Sequence, residues 1–292
     1  MKKGAIIFVL DSSYLIALKT FLYSVRNALK HKKEDIVILT NDPKVKNDIF
    51  VQNIADRVIL FTDEQLEPFA FIKNDKVLER LKIEKIGKYT FLKFFAFSDL
   101  GYDYHLFFDV DMICLKPDFR FSELIMDCDF AAVQTMGFKY LNIKHGEKKT
   151  KEKQKEIYEK IINQEYTSLP NINSGLMYIG NKLLGQKSVN TLVEYASSKS
   201  YALEQLVTFK FVKESEINKK PFPLFYNFTH IPSVKLGKKY FKKIRPKIVF
   251  LHFNQEKPWN KKRNWFYNIW HKTHSKSLDW VFRIEKGKSD EN

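Results

Sequence analysis

The chain has 292 residues, 44% hydrophobic and 15% aromatic, which is ample for a core in one large or two ordinary domains. No apolar run approaches the ~18 residues that cross a bilayer, and Ala5–Leu10 is shorter than the ~7–15 of a signal core and lacks a cleavage site behind it. Secretion, a membrane span and wholesale disorder are therefore not expected, and a cytoplasmic location is. The net charge of +16 is concentrated late, where sixteen basic residues face three acidic ones between Lys235 and Lys288, a balance that suits an anionic partner.

In chain order, Ala5–Leu10, Ile36–Leu39 and Val58–Phe61 are apolar on both faces, as strands covered on two sides must be. Leu15, Leu18, Leu22, Val25 and Leu29 recur at helical spacing and predict a helix over Tyr14–Leu29, with Ser12 or Ser13 as N-cap. A polar helix is expected around Lys76–Ile86 and a Phe-rich one over Tyr89–Phe97. A fourth strand, Leu106–Phe108, ends in Asp109-Val110-Asp111, and a further one, Phe130–Val133, follows. Lys144–Glu165 is so charged that it reads as a solvated helix or flap. Apolar character returns over Asn171–Gly180, around Asn173-Ser174-Gly175. Helices are expected over Lys187–Ala196 and Ala202–Val212, and a last strand over Lys247–Leu251. From Pro258 on, Trp259, Trp265, Phe266, Tyr267, Trp270 and Trp280 interleave with Lys and Arg, so a basic aromatic tail (258–292) follows a principal domain (1–257).

This alternation predicts an open α/β sheet, a class that binds ligands beyond the carboxyl ends of its strands. Asp11 follows the first strand and Asp109 the fourth, so one crevice receives both. Asp109 and Asp111, two apart at a strand end, suit a hard divalent cation. Asp127 and Asp129 precede a strand and read as solvated turn residues. His252 ends the last strand; alone it reads as a structural hydrogen-bonder, but with the two aspartates it would form a set suited to Mn²⁺ or Mg²⁺ rather than zinc. Lys257 on the following loop suits a metal-bound phosphate. There is no P-loop and no GxGxxG. His271 and His274 read as solvated tail residues, and Cys114 and Cys128 as reduced, buried thiols.

Taken together, these motifs resemble glycosyltransferase family 8, the retaining group of GT-A fold that includes glycogenin and bacterial lipopolysaccharide hexosyltransferases. Five ordered stretches over roughly 5–260 carry the resemblance. IIFVLDSSYLIALKTFLYSV is similar to the family's first strand and helix, which implies that Asp11 and Tyr14 hold uracil. TFLKFFAFSDLGYDYHLFFDVDMICLKPDF resembles its lysine helix and DxD strand, implying Lys93 on donor phosphate or sugar and Asp109, Val110 and Asp111 around Mn²⁺. FAAVQTMG and INSGLMYIG resemble its donor-sugar segment, with Asn173 and Ser174 near sugar hydroxyls and Gly175 allowing close approach. LEQLVTFKF is similar to the segment beside the anomeric carbon, implying catalytic Glu204 and Gln205. FYNF and VFLHFNQEKPWN resemble the closing motif, with His252 as third metal ligand and Lys257 on the diphosphate. The chain departs from the family twice: Glu204 stands where Asp is usual, and four residues without Gly separate His252 from Lys257 where five are usual.

The resemblance implies a GT-A type α/β fold, a single Rossmann-like mixed sheet flanked by helices. It implies a Mn²⁺-dependent, retaining transfer of glucose or galactose from a UDP-sugar to a hydroxyl of a glycan, glycolipid or glycoprotein. Same-face attack is expected, with Glu204 or Gln205 stabilising the oxocarbenium-like centre. The tail suits peripheral contact with an anionic membrane, or else packs its aromatics on the core; a homodimer is compatible with everything above. Two rival readings are a catalytically silent sugar-nucleotide binder and a basic nucleic-acid-binding protein. The second leaves Asp109, Asp111 and Asn173-Ser174-Gly175 without a role, so no nucleic-acid partner is expected.

Overall fold

Among the described residues ten strands are interspersed with helices: β1 (Gly4–Val9), β2 (Asp35–Thr40), β3 (Arg57–Leu60), β4 (Tyr104–Phe108), β5 (Met112–Cys114), β6 (Phe130–Val133), β7 (Asn173–Gly180), β8 (Lys219–Phe222), β9 (Phe228–Thr229) and β10 (Phe250–His252). The computed structural model describes residues 2–69, 88–135, 150–163, 171–198, 204–254, 257–261 and 264–287. The expected helix at Lys76–Ile86 lies outside the described residues, as do 144–149 and 164–165 of the charged segment.

Seven strands form one mixed sheet in the order β3-β2-β1-β4-β7-β6-β8. β1 pairs in parallel with β2 and with β4, while β7 runs antiparallel to β4 and β6. β1 and β2 are buried on both faces, which is why their sequences are continuously apolar. β3, expected to be covered on two sides, instead lies at the sheet edge and is only half-buried, with Arg57 exposed. After β1 the chain turns to one side to build β2 and β3, then crosses to the other side for β4. That reversal opens a crevice past the carboxyl ends of β1 and β4. The last predicted strand is shorter than expected and joins a second, three-stranded sheet in the order β5-β10-β9, while Arg245–Lys247 form a 3₁₀ turn before it.

Local chemistry sets where the first helix begins and ends. Asp11, not Ser12 or Ser13, caps its entry turn: its Oδ1 accepts from the Ser13 N–H at 2.8 Å and from Ser13 Oγ at 2.5 Å. The helix runs over Leu15–Ser24 and breaks at Val25 before a short turn at Arg26–Leu29. The Ser24 hydroxyl donates to Phe21 O at 2.6 Å, competing for a helical carbonyl, and accepts from the Cys114 N–H at 2.8 Å. The Phe-rich segment Lys88–Phe97 is a run of 3₁₀ turns rather than an α-helix. Phe91, Phe94 and Phe97 recur every third residue and are all buried, and three residues per turn aligns them on one ridge. Thr150 caps a helix over Lys151–Ile162 within the charged segment, which buries only Ile157 and Ile161.

Two cores flank the sheet. One holds helices Gln186–Ser198 and Glu204–Glu214 with the Phe-rich turns. The other holds helix Leu15–Ser24, the small sheet and the tail helix Tyr267–Glu285. In that helix Trp270 and Trp280 are buried, and Trp280 meets Phe50 at 5.6 Å between ring centroids. His274 is not a solvated surface residue: it stacks on Trp270 at 4.9 Å, and its Nδ1 lies 3.1 Å from Thr20 Oγ1. Asp129 also differs from a solvated turn residue, since its carboxylate accepts from the Asn218 N–H at 2.9 Å and pairs with Lys182 at 3.1 Å. No helix among the described residues is long and apolar enough to cross a membrane.

Candidate active site

Asp109 directly follows β4, and its backbone N–H donates to Gly175 O on β7 at 2.8 Å. One residue later the chain leaves the large sheet, and Asp111 stands just before β5, its carbonyl accepting from the Phe253 N–H at 2.9 Å. β5 and β10 pair antiparallel with His252 opposite Met112, which sets the imidazole beside Asp111. Gly175 makes this approach sterically feasible: a Cβ there would collide with the His252 ring. The close approach expected at Gly175 is thus made by His252.

The outcome is a cluster in which one oxygen from Asp109, one from Asp111 and one His252 ring nitrogen lie within 4.8 Å of one another. His252 Nε2 is 3.1 Å from Asp111 Oδ1 and 3.6 Å from Asp109 Oδ2. It is buried and has no hydrogen-bond partner among the described residues. Two hard carboxylate oxygens and a borderline nitrogen, all aimed at one point, fit a divalent cation such as Mn²⁺ or Mg²⁺.

Two lysines offset part of the negative charge. Lys93, from the Phe-rich turns, lies 2.8 Å from Asp109 Oδ1 and 2.9 Å from Glu204 Oε1. Lys257 pairs with Asp111, and its ammonium sits 5.8 Å from the centre of the Tyr14 ring. Burial works against a charged Lys93, yet Asp109 and Glu204 outweigh it and push its pKa above the usual lysine range. At Asp111 burial raises the pKa, but the charge of Lys257, the largest opposing influence, prevails and holds it below the carboxylate range. Asp109 moves upward, because burial and the Asp111 charge exceed the pull of Lys93. Three carboxylates against two ammonium groups leave the cluster one negative charge in excess, a further match to a cation.

The remaining predicted residues differ in how they relate to this cluster. Glu204 begins helix Glu204–Glu214, is buried, and also accepts from Ser174 Oγ at 3.2 Å. Gln205 Nε2 donates to Thr135 Oγ1 at 3.4 Å, away from the lysine pair. Asn173 Oδ1 accepts from the Gly175 N–H at 2.9 Å. Tyr14 stands edge-on to Trp259 at 5.5 Å, and burial raises its hydroxyl pKa. Asp11 is near the same crevice but is occupied with Ser13. Val110 is buried in the core, so its side chain serves packing. Asn227, absent from the predicted site, is buried and bonds both His252 Nδ1, at 2.9 Å, and Asn173 Oδ1, at 2.7 Å. Its only sequence signal is a polar side chain inside the apolar run Leu224–Phe228.

Comparison with known proteins gives a family match and a shared fold. The family model described as Glycosyl transferase family 8 matches residues 5–263. Among solved structures, the glycosyltransferase GlyE of Streptococcus pneumoniae TIGR4 is 16% identical, with a TM-score of 0.58 over 97% of this chain and 63% of its own. The bifunctional glycosyltransferase WbbM is 19% identical, with a TM-score of 0.59 over 98% of this chain and 52% of its own. This chain therefore spans less than two thirds of either protein. The galactosyltransferase LgtC is 15% identical, with a TM-score of 0.60 over 93% of this chain and 95% of its own. At such identities the likeness establishes the fold, which is GT-A. No curated protein matches the sequence.

Proposed function

The chain belongs to glycosyl transferase family 8, and from that premise we propose that it moves a hexosyl group, glucose or galactose, from a UDP-sugar to an acceptor hydroxyl with retention at C1. The observation that carries this reading is the convergence of Asp109, Asp111 and His252 within 4.8 Å at the crevice beside β1 and β4. LgtC, a galactosyltransferase solved with donor and acceptor sugar analogues, supports a donor–acceptor sugar transfer on this fold.

Asp109, Asp111 and His252 would hold a divalent ion, Mn²⁺ or Mg²⁺, which when bound supplies Lewis acidity to the departing diphosphate. Lys257 and Lys93 add positive charge where negative charge develops. Tyr14 and Asp11 line the nucleotide end of the crevice, with Tyr14 offering its ring to the uracil. Asn173 and Ser174 offer hydrogen bonds to sugar hydroxyls. Glu204 and Gln205, at the start of their helix, stabilise the positive charge that builds at the sugar carbon during same-face attack. The acceptor is proposed to be a glycan, glycolipid or glycoprotein.

A second, additive reading concerns the tail. Leu278 and Phe282, one turn apart on helix Tyr267–Glu285, are 54% and 60% exposed, and Lys272, Lys276, Arg283 and Lys286 are exposed beside them. Apolar side chains within a basic field suit an anionic lipid surface, at ~1 kcal/mol per basic residue.

The deciding experiment measures UDP release from a panel of UDP-sugars with Mn²⁺ and with EDTA. Metal-dependent hydrolysis of one donor is expected. Second-sphere changes at metal sites already cost ~10–100-fold, so loss of the direct ligand in Asp109→Asn should exceed ~100-fold while the fold persists. Calorimetric UDP binding without turnover, even with acceptor glycans added, would leave a silent sugar-nucleotide binder. Absence of both UDP binding and turnover would overturn the proposal.

A further inference from the structure

Asn227 connects the backbone of β7 to the putting-in-place of His252, and the direction of each hydrogen bond in the chain can be deduced. The Gly175 N–H is a donor by covalent structure, and it points at Asn173 Oδ1 at 2.9 Å. That atom is therefore the amide oxygen of Asn173. The group of Asn227 that lies 2.7 Å from the same oxygen must then be its NH₂, so Nδ2 donates. The other end of the Asn227 amide is accordingly its oxygen, and it faces His252 Nδ1 at 2.9 Å. An oxygen acceptor there requires the proton of a neutral imidazole to reside on Nδ1. The lone pair then falls on Nε2, the atom aimed at Asp109 and Asp111 and left without a hydrogen-bond partner.

We propose that Asn227 is a positioning residue that fixes the Nδ1–H tautomer and ring orientation of His252, so that Nε2 is presented to a divalent cation. Asn227 is 1% exposed and hydrogen-bonds His252 and Asn173, so it acts through His252. Ligating histidines commonly have their second nitrogen bonded to a fixed acceptor, which raises ligand basicity and holds the ring. Here the acceptor is a side-chain amide whose own orientation is dictated, through Asn173, by one backbone N–H of the strand that also receives Asp109. The inference rests on the metal site proposed above, but its first test needs no metal.

The test begins with metal-free protein carrying ¹⁵N-labelled histidine, at alkaline pH where imidazoles are neutral, with the His252 signals assigned against His252→Gln. Nitrogen shifts are expected to show a protonated Nδ1 and an unprotonated Nε2. A proton on Nε2 in the unsubstituted protein would overturn the proposal without any variant having to fold. Asn227→Leu should then lose the fixed tautomer and weaken Mn²⁺ binding ~10–100-fold by calorimetry. Asn227→Asp keeps an oxygen for the Nδ1 proton but loses the amide donor to Asn173 Oδ1, so it should recover only part of that affinity. A folded Asn227→Leu with unchanged Mn²⁺ affinity would reduce Asn227 to packing and overturn the proposal. Failure of the unsubstituted protein to bind Mn²⁺ or Mg²⁺ at all would instead refute the metal site.

Discussion

Lys93 and Glu204, 111 positions apart in sequence, meet at 2.9 Å, and the same ammonium lies 2.8 Å from Asp109. One cation thereby holds two carboxylates that would otherwise repel each other in a poorly solvated site. Lys93→Met should leave both without it. Breaking a buried ion pair from one side costs roughly 3–5 kcal/mol, and denaturant unfolding should register a loss of that order. Adding Mn²⁺ should restore part of it, because the ion returns positive charge to Asp109. A loss below ~1 kcal/mol would mean that these groups behave as surface ions.

His105 supplies a pH dependence. It is fully buried on β4 with Nδ1 2.7 Å from Ala96 O, and burial lowers its pKa from 6.5 to about 4. Above 6.5 the ring is neutral whether the chain is folded or not. Between 6.5 and about 4 the unfolded chain takes up a proton that the folded chain refuses. Stability is therefore fully present above 6.5 and is lost as pH falls toward 4, by on the order of 3 kcal/mol at this residue. His105→Asn should flatten that part of the stability–pH curve, measured by urea unfolding across the interval.

Trp270 makes the tail a structural part of the fold. Its ring lies 5.5 Å from Trp259 and 4.9 Å from His274, and it is 1% exposed. Trp270→Ala should cost roughly 3–5 kcal/mol in chemical denaturation. Because Trp259 in turn meets Tyr14, the same variant should weaken UDP binding in calorimetry.

The exposed face of the same helix tests the lipid contact without disturbing that core. Leu278→Ser with Phe282→Ser should leave the unfolding midpoint nearly unchanged and reduce co-sedimentation with anionic vesicles at least tenfold, since each large apolar side chain contributes ~1.5–3 kcal/mol when buried. Undiminished co-sedimentation would exclude this face as the contact.

Much of this protein is legible in its amino-acid order because short-range physics wrote it there. Doubly covered strands must be apolar throughout, so β1, β2, β4 and β6 stand out along the chain. A strand that ends in Asp109-Val110-Asp111 delivers its carboxylates to a crevice in any sheet of this class. The three-residue recurrence of Phe91, Phe94 and Phe97 also marked a 3₁₀ ridge, although a helical period was expected there.

Tertiary structure decided what depends on residues far apart. His252 joins Asp111 only because β10 pairs with β5 in one register; a slip of one residue would turn the imidazole to the other face of the small sheet. The acceptor for His252 Nδ1 comes from Asn227, in a separate apolar run, and a single asparagine within such a run has no period or motif to mark it. The tail shows the same limit from the other side. Trp270, Trp280, Leu278 and Phe282 are equally apolar in sequence, and only the packing of their helix against Leu15–Ser24 and Ile49–Ile54 buries the first two and exposes the others. Burial is a property of which surfaces meet, and that is set by long-range contacts rather than by local composition.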